Sequence, residues 1–145
     1  MTPQTDRAGA PAPFELTEPD DAAYAAYSAN FGPYNRRHGG LEAQTFSLIL
    51  RGPDGAIVAG GRGYVYLGAL ELRGLWVDEG RRGRGEGARL LAAIEDEARR
   101  RGASKAMLYT YSWQAEAFYA ARGYRPYGRF DFPDGPYRVD MEKAL

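Results

Sequence analysis

The sequence predicts an α/β domain of the α+β type, a mixed and mostly antiparallel twisted sheet of six to seven strands flanked by helices. Three observations carry this. Short apolar or alternating runs of strand length recur at 45–50, 56–67, 70–77 and 105–111, and again after 124. Helical spacing interrupts them, most clearly at Leu90, Leu91, Ile94 and Ala98. The 145 residues also suffice for one real core, since a chain of that size buries roughly 70% of its unfolded surface.

Residues 1–13 hold Pro3, Pro11, Pro13 and Gly9 with little to bury, so they read as a flexible tail and leave 14–145 as the domain. Phe14-Glu15-Leu16-Thr17 alternates and predicts a first short strand. Pro19-Asp20-Asp21 opens a helix over 22–30, with acidic residues where a cap belongs and Tyr24 and Tyr27 on one face. Gly32, Pro33, Gly39 and Gly40 make 32–40 a loop with room for one helical turn.

Three strands follow at 45–50, 56–67 and 70–77, joined by connections short enough for an antiparallel meander; Pro53-Asp54-Gly55 supplies the first turn. Gly60 and Gly61 inside the second strand predict a bulge or a close backbone approach. The long helix through Leu90 and Ala98 ends at Gly102, and then come a strand at 105–111 and a short helix at 114–122 closed by Gly123. Strands at 124–130 and 137–142 flank the turn Pro133-Asp134-Gly135-Pro136. The order is β-α-(loop)-β-β-β-α-β-α-β-β, with no internal repeat and no linker.

Nineteen basic residues balance nineteen acidic ones, which argues against a nucleic-acid partner. Without cysteine there is no disulfide, thiolate metal site or cysteine nucleophile, and a single histidine gives no metal constellation. No apolar run approaches 18 residues and the N-terminus has no basic-then-apolar pattern, so a cytoplasmic protein without a membrane partner is expected. The zero hides a pattern: 17 of the 19 basic residues are arginine, grouped notably at 81, 82 and 84 and at 99–101.

Arg82-Gly83-Arg84-Gly85-Glu86-Gly87-Ala88 lies between a strand and the long helix. Glycines admit a ligand close to the backbone, and the free amides and positive dipole end of a helix start suit a diphosphate. The Walker pattern is missing. The spacing of Gly83, Gly85 and Ala88 fits G-x-G-x-x-A, but five residues separate strand from first glycine and no acid follows the next strand for a ribose. A solvated loop and an arginine-glycine RNA-binding segment remain open on the turn alone.

Arg82, Gly85 and Gly87 match the pattern Arg/Gln-x-x-Gly-x-Gly/Ala. About 35 residues on, Ala115, Phe118, Tyr119, Gly123 and Tyr124 match Ala-x-x-Phe-Tyr-x-x-x-Gly-Tyr/Phe. With both motifs in this order the chain resembles the GNAT superfamily of N-acetyltransferases, from about Phe14 to its C-terminus. Glu86 stands where relatives carry a small or apolar residue, and Ser112 where many carry asparagine.

The resemblance implies acetyl-CoA as cofactor and an amine acceptor, with a homodimer as one known option. It assigns the cofactor to Leu75, Trp76 and Val77 through backbone, to Arg82, Gly83, Arg84, Gly85, Glu86, Gly87 and Ala88, and to Ser112, Phe118, Tyr119 and Arg122. Tyr119 is the implied general acid, because a phenol of pKa about 10 can protonate a thiolate whose thiol has pKa about 8.5. Glu71, 11 residues before Arg82, is a candidate base with a raised pKa or, with Arg73 two residues on, half of an ion pair. Tyr34, Arg37 and His38 fall where relatives line the acceptor site. The alternative function is a non-catalytic acyl-CoA-binding module.

Overall fold

The computed structural model describes residues 12–16, 22–39 and 42–145, which fall in two compact units, 1–40 and 41–145. In the first unit, α1 (Ala22–Ser28) sets Tyr24 and Tyr27 edge to face at 5.3 Å, on the shared face their spacing demands. The strand expected at 14–17 does not form over 14–16, which carry no regular structure and leave Phe14 and Leu16 fully exposed. Alternation over so few residues gives a strand nothing to pair with. Thr17, the expected cap Pro19-Asp20-Asp21, Gly40 and residues 1–11 of the expected tail lie outside the described residues.

The loop expected at 32–40 is instead mostly α2 (Phe31–His38). Pro33 sits in its first turn, where a missing N–H removes no helical bond. One turn apart, Tyr34 and His38 stack with ring centroids at 4.2 Å. Gly39, at φ 141°, ends the helix and donates its N–H to Asn35 O.

The second unit is a six-stranded sheet in the order β1-β2-β3-β4-β6-β5. Its strands are β1 (Gln44–Arg51), β2 (Ile57–Tyr66), β3 (Ala69–Val77), β4 (Lys105–Tyr111), β5 (Arg125–Asp131) and β6 (Tyr137–Ala144). Neighbours are antiparallel except β3 and β4, whose parallel pairing requires the crossover supplied by α3 (Glu86–Arg100). A single-turn 3₁₀ helix, Glu79–Arg81, precedes α3, and α4 (Glu116–Ala120) follows β4.

The expected stripe Leu90, Leu91, Ile94 and Ala98 is buried, and it joins one core with Leu70 and Leu72 of β3, Leu108 of β4 and Val139 and Met141 of β6. Burying each of the larger aliphatic side chains is worth about 1.5–3 kcal/mol. Glu95 is buried within the same helix face, which the apolar pattern did not anticipate. Lys143 Nζ donates to it at 2.7 Å and the Tyr124 hydroxyl at 3.4 Å, so the carboxylate is paired and hydrogen-bonded.

Two irregularities of β3 bend it away from a regular ladder. Its register against β2 shifts between Gly60 and Arg62, so that Gly74 and Leu75 of β3 stand opposite the single residue Gly61. This is the bulge anticipated at Gly60-Gly61, with the extra residue on the partner strand, where Gly74 takes φ 73°. Gly61 is glycine because α3 crosses there: a Cβ would lie 2.5 Å from Ile94 Cδ1. The second irregularity is a short ladder. β3 pairs with β4 only at Ala69–Lys105, Leu70–Ala106 and Glu71–Met107, after which the two strands part.

Candidate active site

Where β3 and β4 part, a cleft of about 690 Å³ opens, lined by the end of β3, the glycine turn, the start of α3 and the segment from Tyr109 to Arg122. Backbone that leaves a ladder keeps N–H and C=O groups facing the gap, and Leu75, Trp76 and Val77 lie on that stretch. Asp78 accepts from Gly80 N–H at 3.3 Å and shapes the turn into the 3₁₀ helix. Arg82 donates Nε to Val77 O at 3.0 Å, which ties the glycine turn to the strand end.

The start of α3 faces the cleft without a side-chain cap. Gly85, at φ 78°, is the N-cap, and Arg89 is the first residue to close a helical bond, donating to Gly85 O at 3.1 Å. The amides of Glu86, Gly87 and Ala88 therefore precede the helical ladder, all three in residues that line the cleft. Glu86 does not set a free negative charge among them. Arg81 grips its carboxylate with Nε and Nη2, at 3.0 Å for the Nε contact to Oε2, and this hydrogen bonding holds the acid below its ordinary range.

Arg122, also lining the cleft, lays its guanidinium 3.8 Å over the Phe118 ring and donates Nη1 to Phe118 O at 2.8 Å. Its Nε is buried with no partner among the described residues. A cation and the uncapped amides of a helix start lining one cleft fit a group carrying phosphates. The parted strand fits an extended arm that pairs with backbone. These observations are what a coenzyme A moiety requires.

Tyr119 is buried and lines the cleft between Phe118 and Tyr124, whose rings it meets edge-on at 5.1 and 5.7 Å. Its hydroxyl has no hydrogen-bond partner among the described residues, and desolvation raises its pKa, so it is protonated at neutral pH. Tyr119 also lines a second, smaller chamber of about 210 Å³ together with Arg73, Gly74, Tyr109 and Tyr111.

Of the cofactor residues inferred from sequence, Arg84 and Ser112 do not line the cleft, and the others do. Ser112 is engaged with the start of β6, where its N–H donates to Tyr137 O at 2.8 Å and its hydroxyl accepts from Tyr137 N–H at 3.3 Å. Glu71 lines neither cavity. Burial pushes its carboxyl up, but hydrogen bonds from Tyr66 Oη at 2.7 Å and Arg73 Nε at 2.8 Å outweigh that and hold it low. Of the two expectations for Glu71, the geometry shows the ion pair with Arg73, at 2.7 Å.

Tyr34, Arg37 and His38 lie on α2 in the other unit, where the His38 ring Nδ1 is 2.8 Å from Tyr34 O. The site residues inferred from sequence left out Gly74, Arg81, Tyr109, Thr110, Trp113, Gln114 and Ala115, which also line the cleft. A glycine interrupting an otherwise regular strand was a signal for the first, the arginine group at 81, 82 and 84 for the second and the second motif for Ala115.

The comparisons agree with this geometry. Residues 12–124 match the model of the acetyltransferase (GNAT) family. The chain is 38% identical to blasticidin-S acetyltransferase of Streptomyces morookaense over 94 residues, covering 63% of this chain and 69% of that one. It is 32% identical to an acetyltransferase of Agrobacterium fabrum over 92 residues, covering 63% and 67%. An acetyltransferase structure from Bacillus cereus superposes with a TM-score of 0.77 at 31% identity, covering 90% of this chain and 98% of that one. The parted strands, the uncapped glycine turn and the match over 12–124 together place the chain in the GNAT acetyltransferase family.

Proposed function

We propose that the domain at 14–145 is an acetyl-CoA-dependent N-acetyltransferase acting on a primary amine in a ternary complex. The observation that carries this reading is the lining shared by the two cavities. Gly74, Tyr109, Gln114 and Tyr119 border both a cleft suited to a phosphate-bearing thioester and a smaller chamber. Family membership and the acetyltransferase relatives support the reaction class.

Bound acetyl-CoA supplies an acetyl thioester, whose C–S bond breaks as the acceptor's C–N bond forms, with a proton lost from nitrogen and one gained by sulfur. The chain's own residues do the rest. The amides of Glu86, Gly87 and Ala88, with Arg82 and Arg122, hold the diphosphate end. The free backbone edge at Leu75, Trp76 and Val77 aligns the arm, and an N–H there donates to the oxygen where negative charge develops. Tyr119, protonated and without a partner among the described residues, gives the proton at its hydroxyl to sulfur. Arg81 keeps Glu86 from repelling the phosphates.

The test pairs two measurements on the full chain. Titration calorimetry with coenzyme A is expected to give binding that weakens in Arg122→Ala, and a thiol-release assay with acetyl-CoA over an amine panel is expected to give turnover. Binding with no release for any amine would move the assignment to a non-catalytic acyl-CoA-binding module.

A further inference from the structure

The smaller chamber differs from the cleft in size and chemistry. At about 210 Å³ it falls below the range of roughly 300–1,000 Å³ that drug-sized ligands occupy, so it admits one ring or one short chain. Its wall along β4 is aromatic: Tyr109 and Tyr111 both line it, edge to face at 5.9 Å. Tyr111 is held by a parallel stack on Trp113 at 4.7 Å, and Arg138 covers the Tyr109 ring at 4.0 Å. These rings are fixed by their neighbours before any ligand arrives, which is what a stacking surface needs.

Arg73 is the charged lining residue of the chamber, and its guanidinium is already paired with Glu71 at 2.7 Å. The side-chain oxygen of Gln114 already accepts from Tyr111 N–H at 3.0 Å and from Thr110 Oγ1 at 3.4 Å, which leaves the NH₂ end without a partner among the described residues. An amide NH₂ favours an acceptor atom over an ammonium. No carboxylate among the described residues lines the chamber to hold an ammonium, because Glu71 is turned to Tyr66 and Arg73.

Resting on the acetyl-transfer reading, we propose that this chamber takes the acceptor as a small, planar, uncharged amine carried on an aromatic or heteroaromatic ring. Tyr109 and Tyr111 recognise the ring, and a lining without a free carboxylate among the described residues gives an alkylammonium ion nothing to pair with. Such an amine is far less basic than an alkylamine, which at pKa 10.4 is neutral in only about one molecule in 2,500 at pH 7. A ring-borne amine arrives ready to attack without a base in the chamber. It forms the C–N bond as the thioester C–S bond breaks, releases its proton to water, and the sulfur takes one from Tyr119.

The test measures kcat/KM for thiol release from acetyl-CoA with aniline, aminopyridine, benzylamine and cyclohexylamine, alongside calorimetry with coenzyme A. The ring-borne amines are expected to exceed cyclohexylamine by about ten-fold or more, with benzylamine, planar but charged, between them. Tyr111→Leu should raise KM for aniline by roughly five- to ten-fold while coenzyme A affinity stays put. Arg73→Gln leaves Glu71 unpaired and should shift preference several-fold toward benzylamine. Preference for cyclohexylamine, or an Arg73→Gln variant with an unchanged preference, overturns this proposal and leaves acetyl transfer standing. No release with any amine despite coenzyme A binding overturns both.

Discussion

Tyr119 and Glu71, the two catalytic candidates in the sequence, stand in different surroundings in the fold. The phenol is buried, borders both cavities and has its hydroxyl free, whereas the carboxylate is spent on Tyr66 and Arg73 outside both. Replacing Tyr119 by Phe is expected to lower kcat by about a hundred-fold or more, the size of a lost general acid, with coenzyme A affinity nearly intact. Turnover equal to the parent enzyme would remove Tyr119 from the proton path. Glu71→Gln should leave the shape of the pH–rate profile unchanged and lower the melting temperature slightly, since what it loses is a partly exposed ion pair. A missing acidic limb in that variant's profile would identify Glu71 as a base. The place of Tyr119 was legible because its motif fixes it next to Phe118, and the pairing of Glu71 with Arg73 was legible from their i, i+2 spacing; its second partner was not, since Tyr66 reaches it only across the β2–β3 turn.

Among elements, β3 carries most of the site. Its bulge and its short ladder with β4 create the gap, and neither is a property of its own apolar pattern, which reads as an ordinary strand. Gly61 opposite the bulge lets α3 approach, and Ile94 there is fully buried and cannot withdraw freely. Gly61→Val is therefore expected to destabilise the fold by about 1–3 kcal/mol, read as a lower denaturation midpoint. An unchanged midpoint would mean that helix and sheet have slack at this crossing. The glycine turn and α3 were readable in outline because caps, dipole and 3.6-residue spacing are local. The helical identity of Phe31–His38 was not, because breakers such as Pro33 are neutral in a first turn and disruptive in a middle one.

Among the described residues, several acids sit in ion pairs: Glu71 with Arg73, Glu86 with Arg81, Glu97 with Arg100 and Arg101, and Glu142 with Lys105 and Arg125. Each of these acids is held below its ordinary range, most directly by its hydrogen-bonded cations and, for Glu71, against burial that pushes the other way. A depressed acid adds stability that is present above its unfolded pKa and lost as pH falls through its folded value. Tyr119 and Tyr124 are raised chiefly by desolvation, so they begin to cost stability once pH rises past the ordinary phenol value. The melting temperature is thus expected to plateau near neutrality and to fall below about pH 4 and above about pH 10. A melting temperature still climbing below pH 4 would contradict the pairing.

The sequence by itself pointed to the acetyltransferase family and to the glycine turn before α3, because short motifs at fixed spacing encode local backbone geometry. It also determined the core stripe of α3, through periodicity. Only the tertiary structure decided the parting of β3 from β4, the burial of Glu95 against Lys143, the withdrawal of Glu71 and the aromatic chamber beside Tyr119. Each of these depends on groups distant along the chain meeting in space, which no local pattern records.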